Sequence, residues 1–159
     1  MSIPMSSSAS DTAFEIIAFK LHEQEFCVRT ITIREIRGWV TATPIPHAPA
    51  EVMGVMNLRG TVIPLINLAL KLGMQATEPS ERSAIVVTEV HGMVMGLLVD
   101  QVSDILTIPH SMLQPVPDIN ASAASSFSEG IIMQPDGMIC FLNLERMFHG
   151  ITNHEMEAA

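Results

Sequence analysis

The sequence predicts an all-β protein: two small barrels packed together, with short helical turns and a groove between the barrels. Three observations predict it. Apolar runs of strand length alternate with brief turn signals along most of the 159 residues. Prolines gather at two places and break the chain into surface loops. The pattern of the first half also recurs in the second at a nearly constant offset.

Residues 1–12, MSIPMSSSASDT, are Ser-rich and aperiodic and are read as a disordered tail. Phe14 to Leu21 and Glu25 to Val28 read as two strands around a turn at His22–Gln24. In Thr30 to Arg37, Ile33 and Ile36 stand three apart, which predicts a short helical or bent segment. Trp39 to Thr43 is expected to return as a strand before Pro44, Pro46 and Pro49 impose a loop. Gly54 to Leu58 and Thr61 to Asn67, joined by Arg59-Gly60, form a hairpin. Leu68 to Leu72 reads as one helical turn stopped by Gly73, and Met74 to Arg82 as a polar connector.

The series then restarts. Ser83 to Val90 and Met93 to Val99 form a hairpin around His91-Gly92. Asp100 to Leu106 repeats the bent segment, and Pro109, Pro115 and Pro117 repeat the proline loop. Gly130 to Gln134 and Met138 to Leu144 form a last hairpin around Pro135-Asp136-Gly137, and Glu145 to Phe148 a terminal turn. A shift of 69 lays Ile16 on Ile85, His22 on His91, Ile33 on Val102, Glu35 on Asp104 and Ile36 on Ile105. A shift of 76 lays Gly54 on Gly130, Ile63 on Ile139, Asn67 on Asn143 and Leu68 on Leu144. The seven extra residues fall in the second loop, at PDINASAASS. Each repeat has four or five short strands, too few to bury both faces alone, so each is expected to close into a small barrel and pack on the other. The domain is read as residues 13–148, with lobes at about 14–80 and 83–148 that can exchange end strands, and a polar tail at 149–159.

Composition narrows the function. Apolar residues make up 48% of the chain, ample for a core, and the formal net charge is −9. Such a chain offers no basic stripe for nucleic acid or an anionic membrane surface. The longest uncharged runs contain prolines and fall short of the ~18 apolar residues of a membrane span. No Lys or Arg precedes Lys20, so no basic secretory leader is read, and a cytoplasmic protein is expected. Cys27 and Cys140 lie far apart in apolar runs and read as reduced core thiols.

No phosphate-binding glycine loop, dinucleotide fingerprint, nucleophile elbow or zinc-protease motif is present. The six His are scattered, and His22 and His91 read as turn residues rather than ligands, so neither metal nor cofactor is expected. Most of the twelve Met read as core filler, while Met53, Met56, Met93 and Met95 suit either a core or a re-packing surface. Two charges interrupt apolar stretches: Glu35, beside Ile36, and Arg59, at a hairpin tip. They are either solvated at turns or paired, with each other or with a partner, in which case the planar guanidinium can hold a carboxylate by two hydrogen bonds.

Three stretches resemble the CheW family, which includes the regulatory domain of the histidine kinase CheA. They are Glu35-Ile36-Arg37-Gly38, the hairpin GVMNLRGTVIPLINL at residues 54–68, and VDQVSDI at residues 99–105. The resemblance covers about residues 14–148. It implies two five-stranded SH3-like barrels and a non-catalytic adaptor joining the cytoplasmic tip of a chemoreceptor to CheA in a signalling array, held at the inner face of the membrane through receptors. Carried over by position, the receptor-facing residues are Ile33, Glu35, Ile36, Gly54, Arg59, Val102 and Ile105, and the kinase-facing surface includes Ala84 and Ile85. One departure stands out: Asn67 occupies a position where the family usually has Asp, which leaves a turn-forming role but not a charge. Two other readings compete: a coupling protein of a non-chemotactic receptor–kinase pathway, and a small β-barrel enzyme, for which the sequence shows no polar cluster.

Overall fold

The computed structural model describes residues 12–116, 127–135 and 137–148. The PDINASAASS insertion and nearly all of the two expected tails lie outside them. Among the described residues the protein is all-β, with eleven strands in two sheets. The first repeat supplies β1 (Ala13–Leu21), β2 (Gln24–Arg29), β3 (Ile33–Gly38), β4 (Val52–Leu58) and β5 (Thr61–Asn67). The second supplies β6 (Ala84–Val90), β7 (Met93–Val99), β8 (Gln101–Pro109), β9 (Leu113–Gln114), β10 (Ser128–Gln134) and β11 (Gly137–Leu142). Shifts of 69 and 76 carry the first five onto β6, β7, β8, β10 and β11, and the helical turn Leu68–Lys71 onto Leu144–Met147.

The sheets do not follow a division of the chain near residues 80–83. One has the order β8-β1-β2-β11-β10-β9, the other β3-β6-β7-β5-β4. Each takes its leading hairpin from one repeat and its remaining strands from the other. The exchange is sealed by parallel pairs, β2 with β11 through Phe26↔Cys140 and β5 with β7 through Ile66↔Leu97. Each sheet also returns on itself. The chain leaving edge strand β8 turns at His110–Met112 and pairs as β9 with β10, through Ile131↔Gln114. The chain leaving edge strand β3 reaches β4 at a single bridge, Thr43↔Val55, with 2.8 Å hydrogen bonds both ways. Trp39 to Thr43 is therefore not a strand: Trp39 and Ala42 fill the mouth of the barrel core instead of alternating along a ladder.

The matching glycines explain how a last strand fits against each hairpin. At Gly54 a Cβ would lie 2.2 Å from the Thr43 carbonyl oxygen, and at Gly130 2.6 Å from that of Gln114. Both follow a register shift in their hairpin. Only a residue without a side chain lets the incoming backbone approach this closely.

Period two explains the unbroken apolar runs. On β1, Ile17, Phe19 and Leu21 face a core shared by both barrels, while Phe14, Ile16 and Ala18 face the barrel's own core. On β6, Val86 and Val90 face the shared core and Ile85 and Val87 the second barrel's own. Strands with two buried faces lose the apolar–polar alternation of a half-solvated strand. Phe19 and Phe26 stack at 6.4 Å at the centre of the shared core. Burying one such side chain contributes about 2–3 kcal/mol.

Neither Thr30 to Arg37 nor Asp100 to Leu106 is helical beyond the single 3-10 turn Thr30–Thr32. The spacing of three comes from a β-bulge in each strand.

Candidate functional site

On β3, Ile33 pairs with Thr88, Glu35 with Val87 and Ile36 with Val86, so Arg34 is an extra residue in the ladder. The bulge reverses the alternation once. Ile33 and Ile36 therefore share a face, the side of Val86 and the shared core, while Glu35 turns to the other side with Val87. On β8 the same happens: Phe19 pairs with Val102, Ala18 with Asp104 and Ile17 with Ile105, with Ser103 extra. Val102 and Ile105 share the face on the side of Phe19 and Ile17. Both strands are sheet edges. Ile33 and Val102 pack against the shared core, whereas Ile36 and Ile105 remain 41% and 56% exposed. The structure thus presents two equivalent apolar pairs, one per barrel, each with an inner residue anchored and an outer one in solvent.

Arg59 sits at the tip of the β4–β5 hairpin with φ 51°, followed by Gly60 at φ 90°. Positive φ at both central residues is the turn that matches strand twist in a two-residue hairpin. Asn57 Oδ1 braces it by accepting the Gly60 amide at 2.7 Å. From there the guanidinium reaches Glu35 with two hydrogen bonds, Nη1 to Oε2 at 2.5 Å and Nη2 to Oε1 at 3.0 Å. The contact raises the Arg59 pKa, first through the hydrogen bond to Glu35 and then through its charge. Arg59 remains largely exposed while Glu35 is partly covered. Such a pair contributes little stability but fixes two side chains in one geometry. Of the two readings of these charges, solvated or paired, the structure shows the pair.

Other expected site residues fall elsewhere. Gly54 is buried under the Thr43 backbone, with φ 149°, so it serves the barrel closure and has no side chain to offer a partner. Ile85 is fully buried with Met56, Leu65 and Leu98, and its side chain cannot touch a kinase. Ala84 is 9% exposed beside Gly38 on β3, so its methyl group offers little surface. Met56, Met93 and Met95 are core residues, and Met53 packs on the core from its edge.

Exposed apolar side chains that sequence reading passed over are Ile31, 84% exposed in the turn joining the two sheets, and Val62 and Met138, 67% and 62% exposed. Val62 and Met138 are equivalents in the repeat, and that signal was available. Cys27 and Cys140 are buried free thiols, and burial raises both pKa values. His22 and His91 occupy equivalent turns at φ 60° and 53°, each ring meeting a backbone carbonyl, of Gln75 and Glu145. Among the described residues no group of three or more His, Cys, Asp and Glu is placed to hold a metal ion.

The family model described as CheW-like domain matches residues 15–152. The chain belongs to the CheW-like family. It is 49% identical over 145 residues to the chemotaxis protein CheW of Rhizobium meliloti, covering 91% of this chain and 92% of that one. It is 29% identical to the CheW of Klebsiella aerogenes, over 84% of this chain and 80% of the relative. The crystal structure of the scaffolding protein TtCheW from Thermoanaerobacter tengcongensis superposes with a TM-score of 0.80 at 30% identity, covering 91% of this chain and 97% of that one. The CheW-like match includes both bulged edge strands and the Arg59 hairpin.

Proposed function

We propose that this CheW-like chain is a non-catalytic adaptor that couples chemoreceptors to the histidine kinase CheA in a chemosensory array. The observation that carries this reading is the pair of bulged edge strands. They display Ile36 and Ile105 outward on anchored neighbours, with the Glu35–Arg59 pair fixing the rim of one barrel. An amphipathic helical receptor tip offers apolar side chains at helical spacing, and outer isoleucines backed by a packed core suit it. Ile33, Ile36, Val102 and Ile105 make the apolar contacts, and Glu35 with Arg59 sets orientation. The kinase docks near the start of β6, through exposed positions around Ala84 rather than through the buried Ile85.

The names of the relatives support a scaffold rather than an enzyme, and no cofactor enters the mechanism. Among the described residues no helix is long and apolar enough to cross a membrane. The protein is a cytoplasmic partner brought to the inner face of the membrane by receptors. A second reading keeps the adaptor and changes the pathway to a non-chemotactic one. It stays open because relatives include one not named CheW, the protein FrzA of Myxococcus xanthus, at 25% identity.

The test is reconstitution. CheA autophosphorylation is measured with receptor signalling fragments and this protein, wild type or Arg59→Ala. Stimulation that needs the protein and falls with Arg59→Ala supports the reading. No stimulation by the folded wild type contradicts it.

A further inference from the structure

The two barrels differ at one equivalent opening. In the barrel of β3 to β7, Arg34 pairs with Glu89 and Arg59 with Glu35, so both carboxylates have an arginine partner. The internal repeat carries Arg34, Glu89, Arg59 and Glu35 to Ser103, Lys20, Pro135 and Asp104. Neither arginine has a counterpart. Among the described residues no ion pair joins these positions, and the space is an open cavity of about 830 Å³ lined by Lys20, Ser103 and Asp104. Asp104 holds the place of Glu35, and its Oδ1 accepts the adjacent Ile105 amide at 2.9 Å.

The rest of the lining points to what fills the space. Glu23 and Glu25 add two carboxylates against the single cation of Lys20, and His22 lines the cavity from the β1–β2 turn. Leu106 and Met138 give apolar walls, and Met138 pairs across the hairpin with Met133, 62% and 43% exposed. Exposed thioethers adapt to an incoming side chain. The cavity lies on the side of β8 that carries Asp104 and Leu106, opposite the face of Val102 and Ile105.

We propose that this cavity docks a protein partner through an arginine flanked by apolar residues, supplying in trans the guanidinium that Arg59 supplies to Glu35 in cis. The barrel of β3 to β7 is the template: there an arginine holds the equivalent carboxylate with two hydrogen bonds. The inference goes beyond the coupling function, since it concerns a separate surface and needs no particular receptor.

The test is NMR titration of the labelled full chain with a blocked peptide, Ala-Leu-Arg-Leu-Ala, and its citrulline analogue, which keeps the shape and removes the charge. The expected result is saturable shifts at the amides of Glu25, Asp104, Gly137 and Met138, with the citrulline peptide about tenfold weaker. Ser103→Arg, which fills the space, and Asp104→Asn should each reduce binding while the spectrum stays dispersed. Equal affinity for both peptides, no saturable shift, or shifts confined to the Glu35–Arg59 barrel would overturn the proposal. So would concentration-dependent shifts at the same amides without peptide, which would assign the cavity to a second copy of this chain.

Discussion

Asn67 and Asn143 hold the same place in two copies of one hairpin: each accepts a hydrogen bond from the amide three residues on, Leu70 at 3.3 Å and Arg146 at 2.9 Å. Each thereby caps the helical turn that follows. Asn67 does more. Its Nδ2 donates to the Thr77 carbonyl at 3.1 Å and its Oδ1 accepts the Thr77 amide at 3.2 Å, which pins the connector to the hairpin. Thr77 Oγ1 then donates to Asp100 at 2.6 Å, and Asp100 accepts the amide of His22 at 2.6 Å. This pairing needs an amide side chain, which offers a donor and an acceptor together.

A carboxylate at residue 67 would cap the turn but face the Thr77 carbonyl with no proton to donate. Asn67→Asp is expected to cost about 1–3 kcal/mol, the usual penalty for a buried group deprived of its partner. Asn143→Asp also loses a donor, because Asn143 Nδ2 donates to Glu129 Oε2 at 2.9 Å, but at this exposed site it should cost less than about 1 kcal/mol. Urea unfolding of the two variants gives the comparison, and equal midpoints would show that the Thr77 pairing is dispensable.

Gly54→Ala forces a Cβ against the Thr43 backbone and is expected to lower stability by more than about 1 kcal/mol. Gly38→Ala, with open space around it and no positive φ, should be near neutral. Loss of receptor binding in Gly54→Ala without any loss of stability would place Gly54 in the interface after all.

Burial holds both thiols protonated well above their ordinary range. At pH 8 the folded protein should resist a thiol-reactive dye, and denaturant should expose both cysteines. The folded state keeps its thiol protons to higher pH than the unfolded chain, so above a pH of about 8.5 unfolding releases protons and stability falls as pH rises. Thermal midpoints measured from pH 7 to 10 should decline over that upper range, and substitution of both cysteines by Ala should flatten the decline.

Much of the fold was legible because the repeat is written in residues that closure requires. Gly54 and Gly130, and Asn67 and Asn143, match since each pair solves one steric or capping problem twice. The bulges were not legible. Ile33 and Ile36 three apart carry the same signal in a helix and in a strand with one extra residue, and only cross-strand register tells them apart. That the lobes can exchange end strands was legible, but not which strands cross, because the apolar pattern of β1 does not say that its neighbours are β2 and β8. The Glu35–Arg59 pair was one of two open readings, because sequence does not report that a barrel brings its edge strand to the β4–β5 tip. Ile85 misled because, on a strand buried on both faces, an apolar residue next to a surface position looks the same as one on it.

Outer apolar residues should matter more to binding than to folding. Ile105→Asp is expected to leave the unfolding curve unchanged and to cost receptor binding at least about 2 kcal/mol, some thirtyfold in affinity. Binding of receptor fragments by calorimetry decides it, and undiminished affinity would remove Ile105 from the site.

The most direct measurement is a pull-down from native cytoplasm and membranes with this protein as bait, read by mass spectrometry, alongside Ile36→Asp/Ile105→Asp as a paired control. The account predicts that the wild type recovers a CheA-type kinase together with a receptor's cytoplasmic region, and that the double variant loses the receptor. Recovery of neither by a folded wild-type bait would contradict it.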